Sequence, residues 1–180
     1  MADAMNPLGT HPAEVLRRAL VRLRAALNVD DDRCFLVDDL RAAPPASIPD
    51  KAWALSFEGG SFNGGVDQMP TFVTLDLYFN VTAFNRLTAA DESARANSFI
   101  TRYELNLFEM QRRALLALVG WRLELDDAYP VQVTSTVKAT RCGKPEILQT
   151  DSGAFAAFLA TTFAVGVALE LCDDDYVPEY

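Results

Sequence analysis

From Met69 to Val81 the chain alternates. Val73, Leu75, Leu77, Phe79 and Val81 are all apolar, and Phe72, Thr74, Asp76, Tyr78 and Asn80 stand between them. A period of two fits a strand and not a helix, because successive strand side chains point to opposite faces. The wholly apolar row has to meet a core. Lys51 to Phe57 repeats the pattern, with Trp53, Leu55 and Phe57 on one face and Ala52, Ala54 and Ser56 on the other. Glu58-Gly59-Gly60-Ser61-Phe62-Asn63-Gly64-Gly65 lies between the two runs and reads as a glycine-rich connection. Together they predict a β-hairpin with an extended tip.

Two stretches change period. Thr10, Pro12 and Glu14 give a helix-start signal, and Leu16, Leu20, Leu23 and Leu27 follow as one apolar stripe. Arg17, Arg18, Arg22 and Arg24 lie off that stripe, so a helix is expected from Pro12 to Leu27. From Ala89 to Val119 there is neither Pro nor Gly. Phe99, Tyr103, Met110, Ala114 and Leu118 recur at helical spacing, and Ile100, Leu107, Phe108 and Leu115 widen the face. This predicts a long helix, kinked or split near Asn97. Thr88 to Asp91 would be its capping box, with Asp in place of Glu, and Gly120 its C′ residue.

The remaining segments are short. Cys34 to Val37 is a strand candidate, and Ala43-Pro44-Pro45-Ala46-Ser47-Ile48-Pro49 has to be a loop, because prolines leave a ladder unpaired. Trp121 to Leu125 alternates. So do Val131, Val133, Ser135, Val137 and Ala139 against Gln132, Thr134, Thr136 and Lys138. Gly143-Lys144-Pro145 reads as a turn, and Thr161 to Leu171 as a buried or interface strand. Ser152 to Ala160 reads equally as a helical turn or a strand extension. Clustered strands with separated helices predict an α+β fold: a mostly antiparallel sheet with an extended β-hairpin, packed against a long helix and an N-terminal helix. The whole chain, 1–180, forms one domain, with a flexible start at 1–9 and an acidic tail at 173–180.

The chemistry of the side chains is sparse. Against 16 basic residues stand 25 acidic ones, a net charge of -9. A phosphate-binding surface needs clustered cations, so the global charge argues against a nucleic-acid binder. The cations are 13 Arg and 3 Lys, which fits either charged subunit interfaces or a high-GC genome. Cys34, Cys142 and Cys172 are widely spaced and form no CxxC pair, which predicts a reducing compartment. His11, the sole histidine, stands at a helix start, a poor place for a fixed catalytic base or a zinc site. Asp30-Asp31-Asp32 and Asp173-Asp174-Asp175 lack the periodicity of a calcium loop and read as solvated turns. The glycine-rich connection leads into a strand, without Gly-Lys-Ser/Thr, so it is not a phosphate loop. Asn80-Val81-Thr82 matches a glycosylation acceptor by chance, and Trp53 and Trp121 read as core. Catalytic residues, metal ligands and cofactors are therefore all expected to be none. The start lacks the regions of a signal peptide, and Ala154 to Leu169 is too short and too rich in Thr and Gly to span a membrane. A soluble, non-enzymatic protein is expected.

What is left is contact surface. Phe62, Asn63 and Met69 lie on the connection, and Tyr176, Val177 and Tyr180 follow an acidic run past the last strand. With Arg17, Arg18, Arg22 and Arg24, these are the candidate protein-interface residues. The layout resembles the tail-terminator and tail-completion proteins of long-tailed bacteriophages. The resemblance lies in the Arg-rich first helix (Pro12 to Leu27), the hairpin (Lys51 to Val81), the long helix to Val119 and the late run Phe163-Ala164-Val165-Gly166-Val167-Ala168-Leu169. It implies a homo-oligomeric ring, usually a hexamer, that closes the tail tube. Its partners would be the tail tube protein and a neck or head-completion protein, with DNA passing an acidic bore without specific binding. It places the chain in the virion, and in the host cytoplasm during assembly. Two other readings stand beside it. One is a small-molecule-binding or enzymatic domain with a pocket between sheet and long helix, marked by buried polar groups around Tyr103 or Glu104. The other is a different head–tail joining or tube protein.

Overall fold

The computed structural model describes residues 12–37, 49–62, 72–87, 101–123, 131–149 and 155–170. The elements in chain order are α1 (Pro12–Leu27), β1 (Cys34–Leu36), β2 (Ala52–Phe62), β3 (Phe72–Arg86), α2 (Arg102–Leu118), β4 (Val131–Val133), β5 (Lys138–Cys142), β6 (Glu146–Gln149) and β7 (Phe155–Glu170). The fold is α+β, with one mostly antiparallel sheet and two helices on one of its faces.

The sheet is built around two long strands. β3 and β7 pair antiparallel from Phe72↔Glu170 to Arg86↔Ala156. β2 takes the other edge of β3, and β1 adds to β2 in parallel, with Cys34 opposite Trp53. β7's other edge is filled by β4, β5 and β6 in turn. Val131 pairs with Leu169, Lys138 with Ala164 and Glu146 with Phe158. All three are antiparallel to β7, so they act as one interrupted edge strand.

The predicted apolar row of β3 does face the core. Leu77, Phe79, Val81 and Ala83 are buried beside Leu159, Phe163, Val165 and Val167 of β7, and Leu55 and Trp53 of β2 join them. Phe79 and Phe163 are register partners and stack with centroids 5.5 Å apart. Leu16, Leu20 and Leu23 of α1 and Leu107, Met110, Ala114 and Leu118 of α2 close this core. Trp53 Nε1 donates to Met110 O at 3.3 Å, which satisfies the indole inside it. A smaller cluster (Ala52, Ala54 and Phe84, with Phe35, Val37 and Phe158 against it) covers the opposite face. Thr82, fully buried on that opposite face between Ala54 and Ala160, has an Oγ1 without a hydrogen-bond partner.

Both helix ends of α1 follow local chemistry. Glu14 in the first turn accepts from Arg17 and Arg18, whose guanidinium groups hold its carboxyl below the ordinary range, Arg17 foremost. Asn28, at φ 53°, takes the left-handed conformation that ends the helix, and Val29 N–H donates to Arg24 O. The element spans Pro12–Leu27, as its stripe predicts.

Several expectations need correction. β2 does not stop at Phe57: it passes through a bulge, with Gly59 at φ 126°, and pairs on through Phe62↔Leu75. Gly60 sits where a Cβ would stand 3.2 Å from Asp76 O, so Gly59 and Gly60 serve the ladder and not a loop. The apolar run through Phe99 and Tyr103 is not one helix. Thr101 is extended, and it closes a capping box with Glu104: Thr101 N–H and Oγ1 donate to the Glu104 carboxylate, and Glu104 N–H donates back to Thr101 Oγ1. Trp121 to Leu123 is not strand; Gly120 and Trp121 instead exchange backbone hydrogen bonds with Val137. Residues 134–137 lie between β4 and β5, with Thr134 N–H still donating to Gly166 O and Val137 buried, so the single predicted strand is split in two. Gly143-Lys144-Pro145 does not reverse the chain, since β5 and β6 both continue along β7. β6 itself has no counterpart among the predicted strands, and of the two readings open for Ser152 to Ala160 the strand extension holds, since β7 starts at Phe155. The Thr88–Asp91 signal and the break near Asn97 lie outside the described residues, as do residues 152–154.

Candidate interaction surfaces

The α1 arginines are largely engaged within the chain. Arg17 and Arg18 bind Glu14. Arg22 Nε donates to Ala117 O at 3.2 Å, and its guanidinium lies over the Trp121 ring at 5.7 Å, so it fastens α1 to the end of α2. Arg24 Nε donates to Cys34 O at 2.7 Å and its Nη1 pairs with Asp31, which ties α1 to β1 and gives the Asp30–Asp32 turn a use in the fold.

Phe62 is different. It ends β2, paired with Leu75, and is 69% exposed. Phe57, on the same strand before the bulge, is also exposed. Their register partners, Phe79 and Leu75, belong to the face that carries the helices, and the opposite face of the same strands carries a polar cross-strand ladder. Asn80 Nδ2 donates to Glu58, Thr162 Oγ1 donates to Asn80 Oδ1 at 2.7 Å, and the Ser61 and Tyr78 hydroxyls lie 3.0 Å apart. These bonds fix β2 against β3 and β7 while the two phenyl rings remain uncovered. Asn80, the formal glycosylation site, is spent in this ladder.

Tyr103 and Glu104 stand at the junction of sheet and α2. Tyr103 is buried in the main core and the Glu104 carboxylate is consumed by the Thr101 cap. Gln111 Nε2 reaches Thr161 Oγ1 at 2.8 Å and Cys142 Sγ at 2.7 Å, joining α2 to the sheet edge. Cys34 is fully buried, and that burial pushes its thiol up to about 12, while Cys142 is exposed.

One surface was not foreseen. α2 also has apolar residues on the side away from its core face: Leu105, Phe108, Leu116 and Val119 are all exposed, with Glu109, Arg112 and Arg113 among them. Glu109 accepts from Arg112 and from Arg113, which hold its carboxyl at about 2. The helical spacing puts Phe108 on the apolar face; the structure turns it outward.

Asn63, Met69, Tyr176, Val177 and Tyr180 lie outside the described residues, as do His11, Cys172 and Asp173–Asp175. Among the described residues there is no grouping of three His, Cys, Asp or Glu side chains placed to hold a metal ion, and no helix long and apolar enough to cross a membrane.

No family model matches the chain, and no curated protein matches it. Among solved structures it is similar to a chain of a virion of a native gene transfer agent particle. The likeness covers 92% of this chain and 99% of that one, at 14% identity and a TM-score of 0.44.

Proposed function

We propose that this chain is a structural, non-enzymatic virion protein of a long-tailed, phage-like particle. It closes the end of the tail tube as a homo-oligomeric ring and joins that tube to the neck. The supporting observation is Phe62, an aromatic ring 69% exposed at the far end of a strand whose register is fixed by β3. Aromatic side chains are enriched at protein contacts, and one held on a rigid ladder loses little freedom when a partner covers it. The charge of -9 suits a ring through which DNA passes without adhering. At its TM-score the virion likeness adds no weight to this reading.

The test is the native mass of the purified chain across concentration, with negative-stain imaging alone and with isolated tail tubes. Rings that sit on tube ends are expected. Phe62→Asp should abolish seating or ring closure while leaving the circular dichroism spectrum unchanged. A strict monomer that ignores tubes would sink the proposal and move attention to small-molecule ligands.

A further inference from the structure

One edge of the sheet carries charge opposite to the rest of the chain. The net charge is -9, yet from Val131 to Pro145 there is no acid, and Lys138, Arg141 and Lys144 are all there. All three are exposed, and none makes an ion pair among the described residues. Lys138 pairs with Ala164 and Arg141 with Thr162, so both stand on the polar face of the sheet, where Thr162 bonds Asn80. Gly143 N–H donates to Ala160 O at 2.8 Å, which holds Lys144 beside the next stretch of β7. The cations therefore follow one another at steps of two β7 residues, roughly 7 Å each. β5 pairs with β7 and with no other strand among the described residues, so its outer side is a sheet edge with unpaired backbone groups. Cations along such an edge repel a second basic edge and admit an acidic extended segment.

We propose that the occupant of this edge is the acidic tail of a second copy of this chain, residues 171–180, lying extended along β5. That tail holds Asp173, Asp174, Asp175 and Glu179 and no base. In an extended segment alternate residues recur at about 7 Å, so Asp173 and Asp175 match the interval between Lys138 and Arg141. The other acidic run, Asp30–Asp32, is already used within the fold, where Asp31 pairs with Arg24. Chain length decides which copy supplies the tail. β7 ends at Glu170, and the level of Arg141 lies back along it at Thr162, roughly 27 Å away, with Lys144 roughly 33 Å away. Asp175 follows Glu170 by about 18 Å of extended chain at most, and the chain has to reverse first. A tail does not carry its aspartates to its own Arg141 and Lys144; a neighbour's tail does.

The contact is head to tail, because each copy gives one tail and receives another. Contacts of this kind close rings or run on as filaments. It supplies the joint between copies that a ring requires, and it rests on the ring reading for closure alone. Exposed ion pairs are individually weak and are screened by salt, so the joint is salt-sensitive.

A labelled peptide of residues 171–180, with Ser in place of Cys172, tests it. The peptide is added to full-length chain carrying Asp173→Asn, Asp174→Asn and Asp175→Asn, whose own tail no longer competes. Fluorescence anisotropy should show binding that is about tenfold weaker in 1 M salt than in 0.1 M, as the screening length falls from roughly 10 Å to roughly 3 Å. Lys138→Gln, Arg141→Gln and Lys144→Gln together should abolish binding at unchanged melting temperature. Arg33→Gln, an exposed cation beside β1 at the opposite edge, should leave it intact. Mixing the two full-length variants shows the direction of the contact. The edge-neutral chain keeps its acidic tail and the tail-neutral chain keeps its basic edge. By sedimentation velocity each alone should be a monomer, and the mixture should form one-to-one pairs and stop there. No peptide binding, binding that survives the triple edge change, a mixture that stays monomeric, or tighter binding of a single-stranded oligonucleotide than of the peptide would each overturn the proposal. Rings that still form from the tail-neutral chain would overturn it and leave the ring reading standing. Peptide binding by a chain that forms no rings would uphold it and sink the ring.

Discussion

Gly166→Ala tests whether the interrupted sheet edge is held by close approach to β7. Gly166 donates its N–H to Ser135 Oγ at 2.8 Å and accepts Thr134 N–H at 2.9 Å. An added Cβ would stand 2.7 Å from Thr134 Oγ1, 3.0 Å from Ser135 Oγ and 3.4 Å from Asp76 Oδ1. The first two distances lie inside van der Waals contact, so both hydroxyls have to turn away or residues 134–137 have to lift. Turning Ser135 loses its bond to Gly166, about 1 kcal/mol. Overpacking adds about 1–3 kcal/mol, and the lower entropy of the unfolded alanine chain returns about 0.4–1 kcal/mol. The net cost is about 2 kcal/mol, a fall of roughly 4–8 °C in Tm for a chain of this length. Calorimetry and urea midpoints read it. The same substitution in a Thr134→Ala, Ser135→Ala background should cost under about 0.5 kcal/mol, because the two hydroxyls are gone. Equal costs in both backgrounds would refute the close-approach argument, as would a single variant as stable as wild type.

Three further outcomes follow from other contacts. Thr101→Ala should cost about 1 kcal/mol by opening the capping box, and Thr101→Ser should recover most of it, both read from urea midpoints. Thr82→Val should stabilise the chain by about 1 kcal/mol, since it removes a buried hydroxyl that has no partner; a loss of stability would mean the hydroxyl is bonded in solution. Cys34 gives a pH dependence with a definite sign. Its thiol ionises near 9.0 when unfolded but only at about 12 in the fold, because burial opposes the thiolate. Its contribution is complete below pH 9 and is lost as pH rises toward 12, so the alkaline stability curve of Cys34→Ala should be flatter than that of wild type.

The sequence was most legible where one period ran uninterrupted. The α1 stripe marked its helix to the residue, and the alternation of β3 named the core face of the sheet. It failed where a tertiary contact overrode the local pattern. Val137 belongs by alternation with Val131 and Val133, yet its hydrogen bonds to Gly120 and Trp121 draw it off the ladder. No periodicity argument sees a partner sixteen residues away. Gly59 and Gly60 read as a loop because glycine weakens a strand. Here one supplies a bulge and the other a close approach, and both depend on β3 being alongside. The sequence reading takes Thr88 to Asp91 as the capping box and passes over Thr101-x-x-Glu104, which lies inside the apolar spacing of Phe99 and Tyr103. A polar start signal inside an apolar run deserves more weight than the run.

The interaction surfaces divide the same way. Arg17, Arg18, Arg22 and Arg24 stand out because charge is easy to see in a sequence, and among their contacts are groups that only the fold brings near: Ala117 O, Trp121 and Cys34 O. The α2 stripe stayed hidden for the opposite reason. A helix with apolar residues on most of its circumference reads as buried all round, so Phe108 was merged with Leu107 into one wide face. Only the placement of α2 on the sheet separates them: Leu107 is fully buried and Phe108 is 43% exposed. A helix that spends one apolar face on its own core and keeps a second outside has sequence left over after folding.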